Sequence, residues 1–89
     1  MARFEINSAE HAAMGHQAIT GDVFFQMGIN HSLGRGVPAD MVAAHMWFNL
    51  AAAQGNREAI RHRQEISQEM TAAEIAEAQR QAREWMTRH

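Results

Sequence analysis

Apolar residues recur along this chain at spacings of three and four, and nowhere alternate with polar ones over a useful length, which predicts an all-α fold. Asn7 and Ser8 are natural N-caps, and Glu10 follows Asn7 at capping-box distance, so a lead-in helix is expected over residues 8–19. Its inward side would carry Ala9, Ala12, Ala13, His16 and Ile19, and Thr20-Gly21 would end it. Asp22 is the expected cap of a second helix over residues 23–33, with Phe24, Met27, Gly28 and His31 as its inward stripe. Gly28 sacrifices about 1 kcal/mol of helix propensity against alanine, a cost that makes sense if another helix crosses closely there. The run Gly34-Arg35-Gly36-Val37-Pro38 reads as a tight turn.

Asp40 is positioned to cap a third helix over residues 41–54, which is apolar around most of its circumference: Met41, Ala44, Phe48 and Ala51 on one side, Trp47 and Leu50 on another. Such a helix is sandwiched between neighbours, so it is expected to be the central element. Gly55-Asn56 closes it. A fourth helix over residues 57–68 turns Ala59, Ile60, Arg63 and Ile66 inward. Thr71 and Glu74 form a capping box for a fifth helix, whose buried stripe would be Ile75, Ala78, Ala82, Trp85 and Met86. The result is a single α-helical domain over residues 1–89: a lead-in helix (8–19), a central hairpin (22–55) and capping helices (57–87). About five short helices on short turns imply antiparallel neighbours.

Composition narrows the function. The chain has 89 residues and a net charge of −2, and its basic residues are interleaved with acidic ones, as where Glu58 and Glu65 accompany Arg57, Arg61 and Arg63. That is a solvated helix face, and no nucleic-acid partner is expected. Cysteine is absent, which excludes disulfides and thiolate metal sites. No segment reaches membrane-spanning length and the first residues lack the apolar core of a signal peptide, so no membrane partner and a cytoplasmic location are expected.

Read together, Met27-Gly28, His31, Gly34, Gly36-Val37, Asp40, Ala44, Trp47-Phe48, Ala51-Ala52, Gly55 and Ala59 resemble the Sel-one-like repeat, a relative of the tetratricopeptide repeat. The pattern fits without a gap, and the resemblance covers about forty residues. It implies an antiparallel helix-turn-helix repeat of the α/α superhelix type and a scaffold for protein–protein contacts, not an enzyme. Residues 8–19 would end a degenerate preceding unit, and residues 57–87 would be a following unit modified into a cap.

The positions that depart from the family pattern are the candidates for function. The family usually has an apolar residue at Asn30, an aromatic at His31 and a charge at Met46. These three are expected to lie close together, with Met14 and Ile29 extending the same surface. Val42, Met46, Asn49 and Ala53 form a stripe on one side of the third helix, and exposed methionine suits a partner surface because its side chain adapts. The expected contact residues are therefore Met14, His16, Ile29, Asn30, His31, Met46 and Asn49. The partner is another protein or a second copy of the chain, engaged through an exposed helix face or groove. Clustered departures of this kind also fit deliberate redesign of a binding surface on a natural scaffold.

Six histidines raise metal or haem binding as the alternative. No two histidines stand four apart, but Met27 with His31, and Met41 with His45, do, and His16 is a further candidate ligand. The competing reading places His31 and His45 in semi-buried, hydrogen-bonded positions and leaves His11, His62 and His89 exposed. On this reading no cofactor is required. If His16 and His31 face one another, protonation at about pH 6 would loosen that contact. Catalysis has little support: Asp22 and Asp40 read as caps, Ser8, Ser32 and Ser67 belong to no motif, and Gly34-Arg35-Gly36 lacks the strand and Lys of a phosphate loop.

Overall fold

A computed structural model describes residues 20–88. The expected lead-in helix, with Met14 and His16, lies outside them. The described residues form α1 (Gly21–Leu33), α2 (Met41–Ala53), α3 (Arg57–Ser67) and α4 (Ala72–Arg88), with no strand among them.

Each helix begins where a side chain can satisfy its free backbone N–H groups. Asp40 Oδ1 accepts from Ala43 N at 3.0 Å, and Asn56 Oδ1 from Ala59 N at 3.0 Å. The capping box at α4 closes in both directions, with Thr71 N to Glu74 Oε1 at 2.8 Å and Glu74 N to Thr71 Oγ1 at 3.1 Å. Thr71→Ala removes one arm of this box and should lower the unfolding free energy by about 1 kcal/mol. A urea titration indistinguishable from the parent protein would refute that role. At α1 the expected cap is corrected. Thr20 Oγ1 accepts from Val23 N at 3.3 Å, whereas Asp22 lies within the first turn and accepts from Asn56 Nδ2 at 3.1 Å. Starting the helix at Gly21 brings its backbone against the end of α2: a Cβ there would stand 3.3 Å from Gln54 Cβ.

The turn after α1 needs its glycines. Gly34 and Gly36 both sit at φ 73°, in the left-handed region, and the N–H groups of Gly34 and Arg35 return to the Asn30 carbonyl, the latter at 2.8 Å. Asp40 N then bonds His31 O at 2.9 Å, so α2 runs back antiparallel to α1.

Helix α2 is the centre, packed against α1, α3 and α4. Its Ala44, His45, Met46, Phe48, Leu50 and Ala51 are buried, and Phe48 is fully so. The close crossing expected at Gly28 is present. A Cβ on Gly28 would collide with the Phe48 ring, whose Cζ would be only 3.0 Å away. Two aromatic clusters flank this crossing. Phe24 lies 5.8 Å from Trp47 and 5.2 Å from Trp85, and the two tryptophans are 6.0 Å apart, which ties α1, α2 and α4 together. Phe25, Phe48 and His62 do the same for α1, α2 and α3 at 5.0–5.7 Å.

Four expectations about exposure are corrected. Met46 is in the core, because the helices around α2 cover the side that its neighbours Val42 and Asn49 only half bury. His62 is half-buried, held edge-on to Phe25. Ile60 remains 39% exposed, since α3 meets α2 through the small, fully buried Ala59 and the next position turns away. Met86 is 51% exposed for a similar reason: Trp85 takes the inward place in the last turns of α4. On the outer face of α4, Arg80 pairs with Glu77 and Glu84. Arg80 holds the Glu77 carboxyl down to about 2, with a second hydrogen bond from Gln81 assisting. Such exposed pairs contribute little to stability.

A candidate functional site at a buried polar ring

The most organised polar chemistry among the described residues lies between α2 and α3. His45 and Asn49 stand one turn apart on α2, as Arg63 and Ser67 do on α3. Because the helices run antiparallel, the two pairs meet head to tail and close a ring. His45 Nε2 lies 2.9 Å from Ser67 Oγ, Asn49 Nδ2 is 3.0 Å from His45 Nδ1, Arg63 Nη1 donates to Asn49 Oδ1 at 2.8 Å, and Ser67 Oγ donates to the Arg63 carbonyl at 2.7 Å. His45 is only 2% exposed, so these bonds have little competition from water.

Donor and acceptor accounting then assigns every proton. A guanidinium only donates, so Asn49 must turn its oxygen to Arg63 and its NH2 to His45. His45 Nδ1 must therefore accept, which places the ring proton on Nε2. That N–H donates to Ser67 Oγ, whose own proton is committed to the Arg63 carbonyl. The ring is fully satisfied only with His45 neutral. Burial, and secondarily the Arg63 charge, push the His45 pKa below the ordinary imidazole value, outweighing a backbone hydrogen bond that acts the other way.

Ser67, His45 and Asn49 superficially match a nucleophile, a base and an orienting residue. The tautomer is the wrong one. A base activating serine needs its lone pair on the nitrogen facing the hydroxyl, and here that nitrogen carries the proton. The ring is structural chemistry.

The expected contact residues within the described part of the chain have the following places. Ile29 packs on the core. Asn30 accepts from Gln26 Nε2 at 3.1 Å, and its carbonyl closes the end of α1. His31 Nδ1 donates to the Met27 carbonyl at 2.9 Å, and its ring lies 6.5 Å from Trp47. Met46 is buried and Asn49 belongs to the ring. Trp47, beside His31, and Asn49 are two positions apart on α2 and so face nearly opposite ways. The expectation of an exposed Met46 is corrected by its burial, and Asn49 is held by hydrogen bonds within the fold. Met14 and His16 lie outside the described residues.

The two histidines of the Met27–His31 and Met41–His45 pairs take part in hydrogen bonds. Both nitrogens of His45 are bonded within the ring, and Nδ1 of His31 is bonded to its own helix. Among the described residues no three His, Asp or Glu side chains converge to hold a metal ion. A shallow hollow beside α4 is lined by Arg80, Arg83, Glu84, Thr87 and Arg88, all from one helix, and adjoins none of these groups.

Arg63 and Ser67 are the ring members that sequence reading missed. The available signal was the matched spacing, His-x-x-x-Asn on one helix and Arg-x-x-x-Ser on its antiparallel neighbour. No protein-family model, curated protein or solved structure matches the chain.

Proposed function

We propose that the chain is a helical-repeat module of the Sel-one-like kind that binds another protein, or a second copy of itself, through the outer face of α1. The carrying observation is a stripe on that face. Val23 and Leu33, 37% and 59% exposed, bracket the hydrogen-bonded amides of Gln26 and Asn30 at 3,4,3 spacing. Two apolar anchors separated by amides suit a helical partner laid alongside, since such surfaces are read through residues three and four apart. The close crossing at Gly28, the left-handed Gly34 and Gly36, and the central position of α2 support the repeat reading. No helix among the described residues is long and apolar enough to cross a membrane.

This reading keeps Asn30, with Ile29 beside it, from the contact set expected from sequence, and adds Val23, Gln26 and Leu33. A photo-crosslinking residue at position 33 should capture one discrete protein, or a second copy, in cells that make this chain. The same residue at the exposed Gln79 of α4 is the control. Equal labelling from both positions would remove the proposal, and light scattering of the purified protein separates self-association from a foreign partner.

A further inference from the structure

We propose that the ring of His45, Asn49, Arg63 and Ser67 is a latch between α2 and α3, closed by neutral His45 and opened by acid. The proposal is independent of any partner on α1. It follows from the ring's donor count. Protonated imidazole has two donors and no acceptor, so its Nδ1–H would face the NH2 of Asn49. Asn49 can offer oxygen to His45 only by turning its NH2 to the Arg63 guanidinium, which also has donors alone. Either arrangement opposes donor to donor around a side chain that is 2% exposed, and such groups are costly where water cannot replace the lost partner. The proton is accommodated only if Arg63 withdraws or α3 parts from α2. Asn49, Arg63 and Ser67 are all half-buried, but Arg63 has the longest side chain. Its withdrawal frees Asn49 and removes one of the two contacts from α3, leaving the Ser67 hydroxyl, which is bonded to the Arg63 backbone carbonyl, as the other.

The surrounding charges reinforce this direction. From α3, the charged group acting on His45 is Arg63, with the titratable His62 turned to Phe25 and Phe48. From α1, His31 lies beside Trp47 and Asp22 is bonded to Asn56. On α4, Glu77, Arg80 and Glu84 pair with one another on the exposed face, and on α2 Asp40 caps its own helix. No carboxylate takes part in the ring to welcome a proton on His45. The linkage sign follows. With the folded pKa below the ordinary 6.5, stability is fully present above that value and is lost as pH falls through the folded pKa.

The test uses the full chain with ¹⁵N-labelled imidazoles. Near neutral pH His45 should show the Nε2–H tautomer and should titrate below the ordinary imidazole value. Between about pH 7 and about pH 5, amide exchange in α3, corrected for its intrinsic pH dependence, should accelerate at least about tenfold. Asn49→Asp supplies a carboxylate that accepts from both Arg63 and His45 Nδ1–H. In that variant His45 should titrate above the ordinary value and the acid-induced acceleration should disappear. An Nδ1–H tautomer in the parent, acid-independent exchange in α3, or an aspartate variant that opens like the parent would each overturn the latch. Should the variant fail to fold, the tautomer and exchange measurements on the parent decide alone.

Discussion

Phe48→Ala should lower the unfolding free energy by about 3–5 kcal/mol, the range for truncating a fully buried aromatic ring. Phe48 has no solvent exposure, contacts Phe25 and His62 at ring-centroid distances of 5.7 and 5.5 Å, and fills the space above Gly28. These contacts come from two other helices, α1 and α3, so the cavity left by alanine has no single wall that can collapse into it. Against a total stability of about 5–15 kcal/mol for an ordinary domain, the loss would bring a chain of this size near the edge of folding. Urea titration followed by circular dichroism measures it. A loss below about 1 kcal/mol would mean that the ring is not the keystone of the α1–α2 crossing.

Gly28→Ala tests the same crossing from the other side and sets two effects against each other. Helix propensity favours alanine by about 1 kcal/mol. Overpacking a filled core costs typically about 1–3 kcal/mol, and more where nothing can yield. Here the added methyl meets the Phe48 ring, and that ring is pinned by Phe25 and His62. Overpacking therefore wins, and Gly28→Ala should destabilise by about 1–3 kcal/mol. The double variant Gly28→Ala with Phe48→Ala should cost less than the two single losses added, because the new methyl occupies part of the space the ring vacates. Simple additivity, or a Gly28→Ala protein more stable than its parent, would show that the helices do not cross there as described.

The residues themselves show why some features were legible in the sequence. Asp40 and the Thr71–Glu74 box announced their helices because a cap acts over three residues, a range that spacing alone specifies, whereas Asn56, legible only as the end of α2, also caps α3. Gly28 was legible as a contradiction: a poor helix former in the middle of a helix has a reason, and the reason was Phe48. Helix α2 was legible as the centre because apolar residues surround it. Thr20 and Asp22 show the limit of local reading. Both can cap, and what favoured Thr20 was a partner far along the chain, Asn56, that holds Asp22 inside the first turn.

The candidate site was far less legible. Met46 was expected outside because a family pattern has a charge at that place, yet it is buried, since exposure depends on what neighbours cover. His62 was expected in solvent and instead lies against Phe25 and Phe48. The polar ring joins residues twenty-two positions apart at His45 and Ser67 and fourteen apart at Asn49 and Arg63, distances at which no local rule operates.

The sequence by itself determined the helices from α1 to α4, the caps at Asp40 and Thr71, the glycine turn and the central role of α2. Those properties arise from backbone hydrogen bonding and i,i+3 or i,i+4 neighbours, which every stretch of chain carries with it. Only the tertiary structure decided which way α3 presents Arg63 and Ser67, and so that His45 is neutral, Nε2-protonated and unable to serve as a base. That outcome depends on the antiparallel setting of two helices in space. Donor and acceptor identity is written in the residues, but their pairing is made by packing.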